Sequence, residues 1–177
     1  MKEWSIVELL KQSRHDWLNK LQLIKGNLSL NRIERAKEII EEIVIESQNE
    51  AKLTNMQLTE FAGFLMTYNW GSHHFCLEYE VLGSTYDLSE YDSVMLHWCE
   101  QFFTVVDQSV LKTGENHLSL SIHCTDAEIR FFFDFSGILD DIVAVRDWLE
   151  SEEWDKSIVL TEMIASKSEL IVELQVK

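Results

Sequence analysis

The sequence predicts an α+β protein, with an N-terminal helical hairpin followed by a domain whose helices pack on one face of a mostly antiparallel sheet. Two observations support this fold class. Residues 1–52 show only the three- and four-residue apolar spacing of helices, whereas five later segments have the alternation or the β-branched and aromatic content of strands. Residues 1–52 also hold nine Lys or Arg and nine Asp or Glu, against six and 22 in the remainder. We therefore predict two domains, 1–52 and 53–177.

The first helix is predicted from its cap and its apolar seam. Ser5 and Glu8 have the spacing of a capping box, in which each side chain bonds the backbone N–H of the other residue. Apolar residues then recur every three or four positions, with one polar member, Arg14. The seam consists of Val7, Leu10, Arg14, Trp17, Leu21, Ile24 and Leu28.

A second helix follows after a short connection. The turn-forming residues Gly26, Asn27, Ser29 and Asn31 predict that connection, and Asn31 with Glu34 has capping-box spacing. The apolar residues of the second helix are Ile33, Ala36, Ile39, Ile40, Ile43 and Val44. Two helices cannot bury such stripes alone, so a second copy of the hairpin is expected to complete a dimeric four-helix bundle. Packing against the second half of the same chain is the alternative.

The second domain is predicted to mix helices and strands. Helices are expected over Thr59–Trp70, Tyr91–Lys112 and Asp140–Leu149. The expected strands are Phe75–Gly83, His117–Cys124, Glu128–Phe135, Ser157–Ile164 and Glu169–Val176. Together these segments predict an α/β sandwich.

Composition excludes several classes of protein. Nine Phe, six Trp and four Tyr are incompatible with a disordered chain. The net charge of −16 argues against nucleic acid as a partner, because basic residues must displace the counterions of phosphates. No uncharged apolar run reaches the roughly 20 residues of a membrane span. Glu3 and Glu8 interrupt any signal peptide, and three scattered cysteines suit reduced thiols, so we expect a cytoplasmic protein.

The candidate site is a histidine in the middle of the first helix. His15 lies beside the seam on the flank that faces water, and its neutral imidazole could act as a nucleophile toward a docked protein. Asp16 could orient the ring, and Arg14 and Lys20 could offset the charge of a phosphoryl group. Lys11, Leu18, Asn19 and Gln22 share its face. A surface histidine beside an aspartate is also common in proteins where it has no catalytic role. Spacing alone therefore leaves open whether His15 is catalytic.

A family resemblance favours catalysis. The stretch RHDWLNKLQLIKGNLSL (residues 14–30) resembles the phosphoacceptor helix and turn of the sporulation initiation phosphotransferase B family of endospore-forming bacilli. LEYEVLG (77–83), DLSEYD (87–92) and ENHLSLS (115–121) also resemble that family. The resemblance implies that His15 carries the phosphoryl group, in a dimeric hairpin followed by a degenerate histidine-kinase ATPase domain. It further implies transfer from the aspartate of a single-domain response regulator to that of a response-regulator transcription factor.

Roles for the neighbouring residues follow partly from this resemblance and partly from their place on the helix. Histidine, an acid, two residues and then Asn or Thr recur in the dimerisation helices of sensor kinases, and His15, Asp16 and Asn19 fill that pattern. Asn19 is expected to contact the phosphoryl group or the partner. Lys11, Leu18, Lys20 and Gln22 are expected to bind the receiver domain. No metal or cofactor site is expected on this chain, because the receiver supplies Mg²⁺.

A sensor kinase fragment is the strongest alternative. Phe103–Leu111 resembles the N-box helix of such kinases, but Gln108 stands where the metal-binding Asn would be. Asp134–Leu139 resembles the D-x-G-x-G box with Ser136 in place of its first glycine, and no second glycine box follows. We therefore expect no ATP-dependent autokinase activity. A scaffold that docks response regulators without chemistry is the third hypothesis.

Overall fold

A computed structural model describes residues 4–126, 128–151 and 154–177 of the chain. It divides the protein into two compact units, Met1–Gln48 and Asn49–Lys177. Residues 1–3 of the predicted first domain lie outside the described residues. The predicted boundary at residue 52 falls inside a helix that begins in the first unit and ends in the second. That boundary stays a prediction.

The first unit is a helical hairpin. Helix α1 spans Ile6–Ser29, and helix α2 spans Ile33–Asn55. The predicted capping box at the start of α1 is confirmed. The Glu8 N–H donates to Ser5 Oγ at 3.3 Å, and the Ser5 N–H donates to Glu8 Oε2 at 2.9 Å. These two bonds satisfy donors that the first turn of a helix otherwise leaves free.

The connection between the two helices is shorter than predicted. Gly26, Asn27 and Ser29 belong to α1, which ends only after Ser29. Asn31 has φ of 57°, the left-handed conformation that follows a helix C-terminus, and the Arg32 N–H donates to Asn27 O at 2.9 Å. A helix N-cap has extended backbone instead, so the prediction that Asn31 caps α2 is wrong.

The second unit contains one five-stranded sheet in the order β1-β2-β3-β5-β4. Its strands are β1 Cys76–Gly83, β2 His117–Cys124, β3 Ile129–Ser136, β4 Ile158–Ala165 and β5 Glu169–Val176. Strands β1 and β2 pair in parallel, and the other three pairings are antiparallel. All five predicted strands are present, each within one residue of its expected bounds.

Helices cover one face of this sheet. They are α3 Thr59–Tyr68, α4 Asp92–Ser109 and α5 Ile142–Glu150, with a 3-10 turn at Ser89–Tyr91 before α4. Helices α3 and α4 are shorter at their C-termini than predicted. Helix α4 ends because Val110 is extended and bridges Leu139. The alternating apolar residues of the strands, such as Phe131 and Phe133, are buried in the core beneath the helices. The prediction of an α+β fold is confirmed.

Side chains occupy the open edge of β1. Lys52 Nζ donates to Val81 O at 2.9 Å, and the Val81 N–H donates to Asn49 Oδ1 at 3.2 Å. The Asn69 amide pairs with both backbone groups of Leu77, at 2.7 and 2.9 Å. The bonds of Asn49 and Lys52 attach the C-terminal part of α2 to the sheet, which explains why the second unit begins at Asn49.

Candidate functional site

His15 lies in the middle of α1, and its side chain is 65% exposed. Two polar groups approach the same ring nitrogen. Nδ1 lies 3.4 Å from Asp16 Oδ1 and 3.3 Å from Asn19 Nδ2. Among the described residues, Nε2 has no hydrogen-bond partner. The local helix geometry therefore holds one nitrogen of the ring and leaves the other open to a docked molecule.

The two contacts at Nδ1 require different proton positions. Asp16 can only accept, so its contact requires a proton on Nδ1, whereas the Asn19 amide donates to an Nδ1 lone pair. In a neutral imidazole, a proton on Nδ1 leaves the lone pair on Nε2. With the proton on Nδ1, Asp16 accepts it and the open Nε2 carries the nucleophilic lone pair, whereas the Asn19 contact requires the opposite tautomer.

The neighbours of His15 fall into two groups around α1. At about 100° per residue, Lys11, Leu18, Asn19 and Gln22 lie within about 60° of His15. All four are exposed, and Leu18 is 51% exposed. The structure therefore brings these predicted partner-binding residues onto one face with His15.

The two predicted cations lie further around the helix. Arg14 is about 100° and Lys20 about 140° from His15. Arg14 is exposed, while Lys20 forms an ion pair with Glu46 of α2 and its Nζ lies 5.7 Å from the centroid of the Trp17 ring. Lys20 is thus already engaged within the hairpin, and its role toward a phosphoryl group stays a prediction.

A second surface of the hairpin is apolar and uncovered. Its residues are between 43% and 75% exposed. They are Val7, Leu10, Trp17, Leu21 and Leu28 of α1 with Ile33, Ile40 and Val44 of α2. We call this set the apolar seam. Its α1 members from Leu10 onward lie about 120° or more around the helix from His15, so the seam and the histidine occupy different sides of α1.

Sequence reasoning missed Asn116, a buried polar residue of the second unit. Its Nδ2 donates to His74 O at 2.9 Å and to Leu111 O at 3.0 Å, and its Oδ1 accepts from the Ile138 N–H at 3.2 Å. A Cβ on Gly137 would collide with that Oδ1. Each partner lies on a different part of the chain, so no local sequence signal could have identified this residue.

The described part of the chain has neither a cluster of metal-binding side chains nor a membrane-spanning helix. No group of three or more His, Cys, Asp or Glu side chains in residues 4–126, 128–151 and 154–177 could hold a metal ion. Within the same ranges, no helix is both long and apolar enough to cross a membrane.

Two family models together match the whole chain. The model described as "Sensor kinase SpoOB-type, alpha-helical domain" matches residues 1–56, and "Sporulation initiation phospho-transferase B, C-terminal" matches residues 57–177. The chain belongs to the sporulation initiation phosphotransferase B family. A family member named sporulation initiation phosphotransferase B, from Bacillus subtilis (strain 168), is 40% identical over 96% of this chain and 88% of its own length. The predicted resemblance is confirmed, and the protein is a phosphotransferase of sporulation initiation.

Solved structures of histidine kinases also align with this family member. The Acinetobacter baumannii histidine kinase AdeS is 11% identical over 92% of this chain and 97% of its own, with a TM-score of 0.39. The histidine kinase domain of a blue-light activated kinase from Erythrobacter litoralis is 8% identical over 89% and 93%, with a TM-score of 0.45. At these scores neither alignment bears on function.

The region that resembles a kinase nucleotide site is used otherwise in this family member. Asp107, next to Gln108 on α4, accepts from the His74 backbone N–H at 2.6 Å and lies 3.0 Å from His74 Nδ1. Asp134 is exposed on the outer face of the sheet, opposite Ser119 and Ile171. Asp107 therefore holds His74 in place, and the Asp134 side chain faces water.

Proposed function

We propose that this chain relays a phosphoryl group between response-regulator aspartates through His15. A single-domain response regulator donates the group, and a response-regulator transcription factor receives it. The observation that carries the proposal is the exposed His15 side chain, whose Nε2 lies opposite the ring nitrogen that Asp16 and Asn19 approach. Membership of a phosphotransferase family supports it.

The relay consists of two matched displacements. First, the Nε2 lone pair attacks the phosphorus of the aspartyl phosphate, the N–P bond forms, and the P–O bond breaks as the carboxylate leaves. Then a carboxylate oxygen of the second regulator attacks the phosphorus, and the N–P electron pair returns to Nε2. Both bonds are reactive, so positioning in line supplies most of the catalysis. Mg²⁺ at the phosphoryl oxygens would be held by the receiver domain.

The residues around His15 take separate roles in this proposal. Asp16 orients the imidazole and stabilises the proton on Nδ1 while Nε2 attacks. Asn19 makes a polar contact with the phosphoryl group or the partner, and Arg14 and Lys20 offset its charge. Lys11, Leu18 and Gln22 contact the receiver.

We further propose that the hairpin forms a homodimer through the apolar seam. Eight seam residues that are 43–75% exposed are an unusual surface for a monomer. A second copy would bury the seam in a four-helix bundle and leave both His15 side chains on outer flanks. We also propose that the protein is located in the cytoplasm, where response regulators act.

A His15→Gln variant tests the relay directly. The wild-type chain, incubated with a phosphorylated receiver domain, should acquire an acid-labile, base-stable label and pass it to a second receiver. His15→Gln should remain folded and still bind the receiver, yet transfer should fall by at least 1,000-fold. The matched control is His123→Gln, which removes another exposed histidine and should transfer normally. Wild-type relay rates in His15→Gln would contradict the proposed mechanism.

The same labelling experiment separates the alternatives. A scaffold would bind the receiver without acquiring label. A sensor kinase fragment would acquire label from ATP in the absence of any phosphorylated receiver. Gln108 and Ser136, which replace the residues expected in a nucleotide site, favour the relay over the kinase.

A further inference from the structure

Gln12 lies one turn before His15 on α1 and contacts Asp16, the acid that approaches the histidine ring. Its side-chain Nε2 donates to Asp16 Oδ1 at 3.5 Å, and the same oxygen lies 3.4 Å from His15 Nδ1. Residues three and four positions apart lie on one face of a helix, so Gln12 is beside both His15 and Asp16. One carboxylate oxygen is thus shared by an amide and the imidazole.

The Gln12 amide can meet Asp16 in only one way. A carboxylate only accepts hydrogen bonds, so the amide presents its NH2 group to Oδ1. The same oxygen accepts from His15 Nδ1 when the ring proton is there, whereas Asn19 donates to Nδ1 only when that nitrogen is bare. The two contacts at Nδ1 therefore compete, and Gln12 supports the one made by Asp16.

The Asp16 carboxylate benefits from such support because it is not buried. Its side chain is 38% exposed, so water competes for the carboxylate, while Gln12 is half-buried and donates from the preceding turn. Both contacts of Oδ1 are long for hydrogen bonds, and such contacts in catalytic sites often shorten only when the partner docks. A carboxylate that is already at Nδ1 needs no reorientation when positive charge develops on the ring during attack.

We propose that Gln12 is a positioning residue that holds the Asp16 carboxylate at Nδ1 and so raises the fraction of His15 with its lone pair on Nε2. This inference deepens the relay proposed above and rests on it. Gln12 acts through Asp16, not through the phosphoryl group or the receiver. Its loss should therefore slow phosphoryl transfer without weakening receiver binding.

Nitrogen NMR of protein labelled with ¹⁵N at its histidine rings tests the first step without any receiver. Long-range ¹H–¹⁵N spectra separate the two tautomers, and His15→Gln identifies the His15 signals among the six histidines. At about pH 9, where histidine side chains are ordinarily neutral, the wild-type proton should lie mainly on Nδ1. Gln12→Leu should lower the ratio of the Nδ1–H to the Nε2–H form about threefold, as expected for the loss of one neighbouring interaction. Gln48→Leu, at an exposed position of α2, should leave the ratio unchanged.

A double-mutant cycle tests the path through Asp16. With saturating phosphorylated receiver, Gln12→Leu should slow single-turnover transfer to His15 about fivefold, at unchanged receiver affinity. In an Asp16→Ala background the same change should have no effect, because the carboxylate that it positions is gone. A role in helix stability or receiver contact would slow transfer equally in both backgrounds. Gln12→Ala repeats the test with a residue of higher helix propensity, so that α1 is not weakened.

Four results would overturn this inference while the relay stands. They are an unchanged tautomer ratio in both Gln12 variants, an unchanged transfer rate in both, a wild-type His15 ring with its proton mainly on Nε2, or equal slowing in the two backgrounds. The relay itself fails on a different result, which is wild-type protein that acquires no label from the phosphorylated receiver.

Discussion

In the proposed relay, the reactivity of His15 depends on residues one and four positions along the same helix. Asn19 reaches Nδ1 because the i+4 side chain of a helix lies beside residue i, and the adjacent Asp16 carboxylate lies 3.4 Å from the same nitrogen. No tertiary contact is needed to build this arrangement. The proposed phosphoacceptor site therefore needs only an exposed helix, on which a receiver domain would reach Nε2.

Leu18 should determine receiver binding without affecting the chemistry at His15. It is an exposed apolar residue on the histidine face, so Leu18→Asp would remove apolar contact and bring a carboxylate toward the phosphorylated aspartate of the receiver. We expect receiver affinity to fall at least tenfold, about 1.4 kcal/mol, in a calorimetric titration. Val143→Asp, an equally exposed apolar position on α5, is the control. Unchanged receiver affinity in Leu18→Asp would place the docking surface elsewhere.

Asp92 should stabilise the second unit as a cap from a distant position in the chain. Its carboxylate accepts from the backbone N–H groups of Glu60 at 3.0 Å and Phe61 at 2.9 Å, in the first turn of α3. Asp92→Ala leaves both donors unpaired, and we expect a loss of about 1–2 kcal/mol in the free energy of unfolding by urea. Glu90→Ala removes a nearby acidic charge without a cap and should have little effect. Equal stability of the two variants would rule out the capping role.

Residues with local partners were predictable, and residues with distant partners were not. The Ser5–Glu8 capping box depends on a spacing of three, which the sequence displays. Asn116, Asp92 and the His74–Asp107 pair have partners 5 to 42 positions away, and such contacts exist only once the sheet has formed. The face of His15 was predictable for the same reason as the capping box.

The bounds of the strands were predicted more accurately than the end of α1. Burial alternates strictly along strand β5, and its bounds, Glu169–Val176, match the prediction. Gly26, Asn27 and Ser29 are turn-forming residues, yet α1 continues through them. Asn27 Nδ2 donates to Leu23 O and Ser29 Oγ to Lys25 O, both at 2.9 Å, so these side chains bond back within the helix. Composition alone cannot separate that arrangement from a turn.

The apolar seam should hold two hairpins together. Leu21 is 54% exposed in the single chain, and burying a Leu or Ile side chain contributes roughly 1.5–3 kcal/mol. We expect a seam variant, Leu21→Asp with a second change at the adjoining half-buried Ile24→Asp, to convert a dimer to a monomer or to unfold the hairpin. Sedimentation velocity and circular dichroism measure the two outcomes. The matched control is Leu18→Asp with Gln22→Asp, which adds the same charges on the His15 face and should leave the dimer intact. A wild-type sedimentation profile for the seam variant would exclude this interface.

The acidic charge of the protein is concentrated after residue 52. That part of the chain holds 22 Asp or Glu and six Lys or Arg, which accounts for the entire net charge of −16. A domain with such a balance repels polyanions and offers few cations to a triphosphate. Residues 1–52, with nine charged residues of each sign, are neutral and carry His15, so in the proposed relay a phosphorylated partner would meet no such repulsion there.

MgATP should therefore neither bind to the protein nor phosphorylate it. Gln108 replaces the metal-binding Asn, Ser136 replaces a glycine, and Gly137 packs against Asn116 instead of lining a nucleotide site. We expect no saturable heat when MgATP is titrated into the full chain, and no label on His15 from radiolabelled ATP. Labelling of the same preparation by a phosphorylated receiver is the positive control, since it shows that the histidine is competent. Saturable binding in the low micromolar range would overturn this prediction, and ATP-dependent label that His15→Gln abolishes would restore the kinase hypothesis.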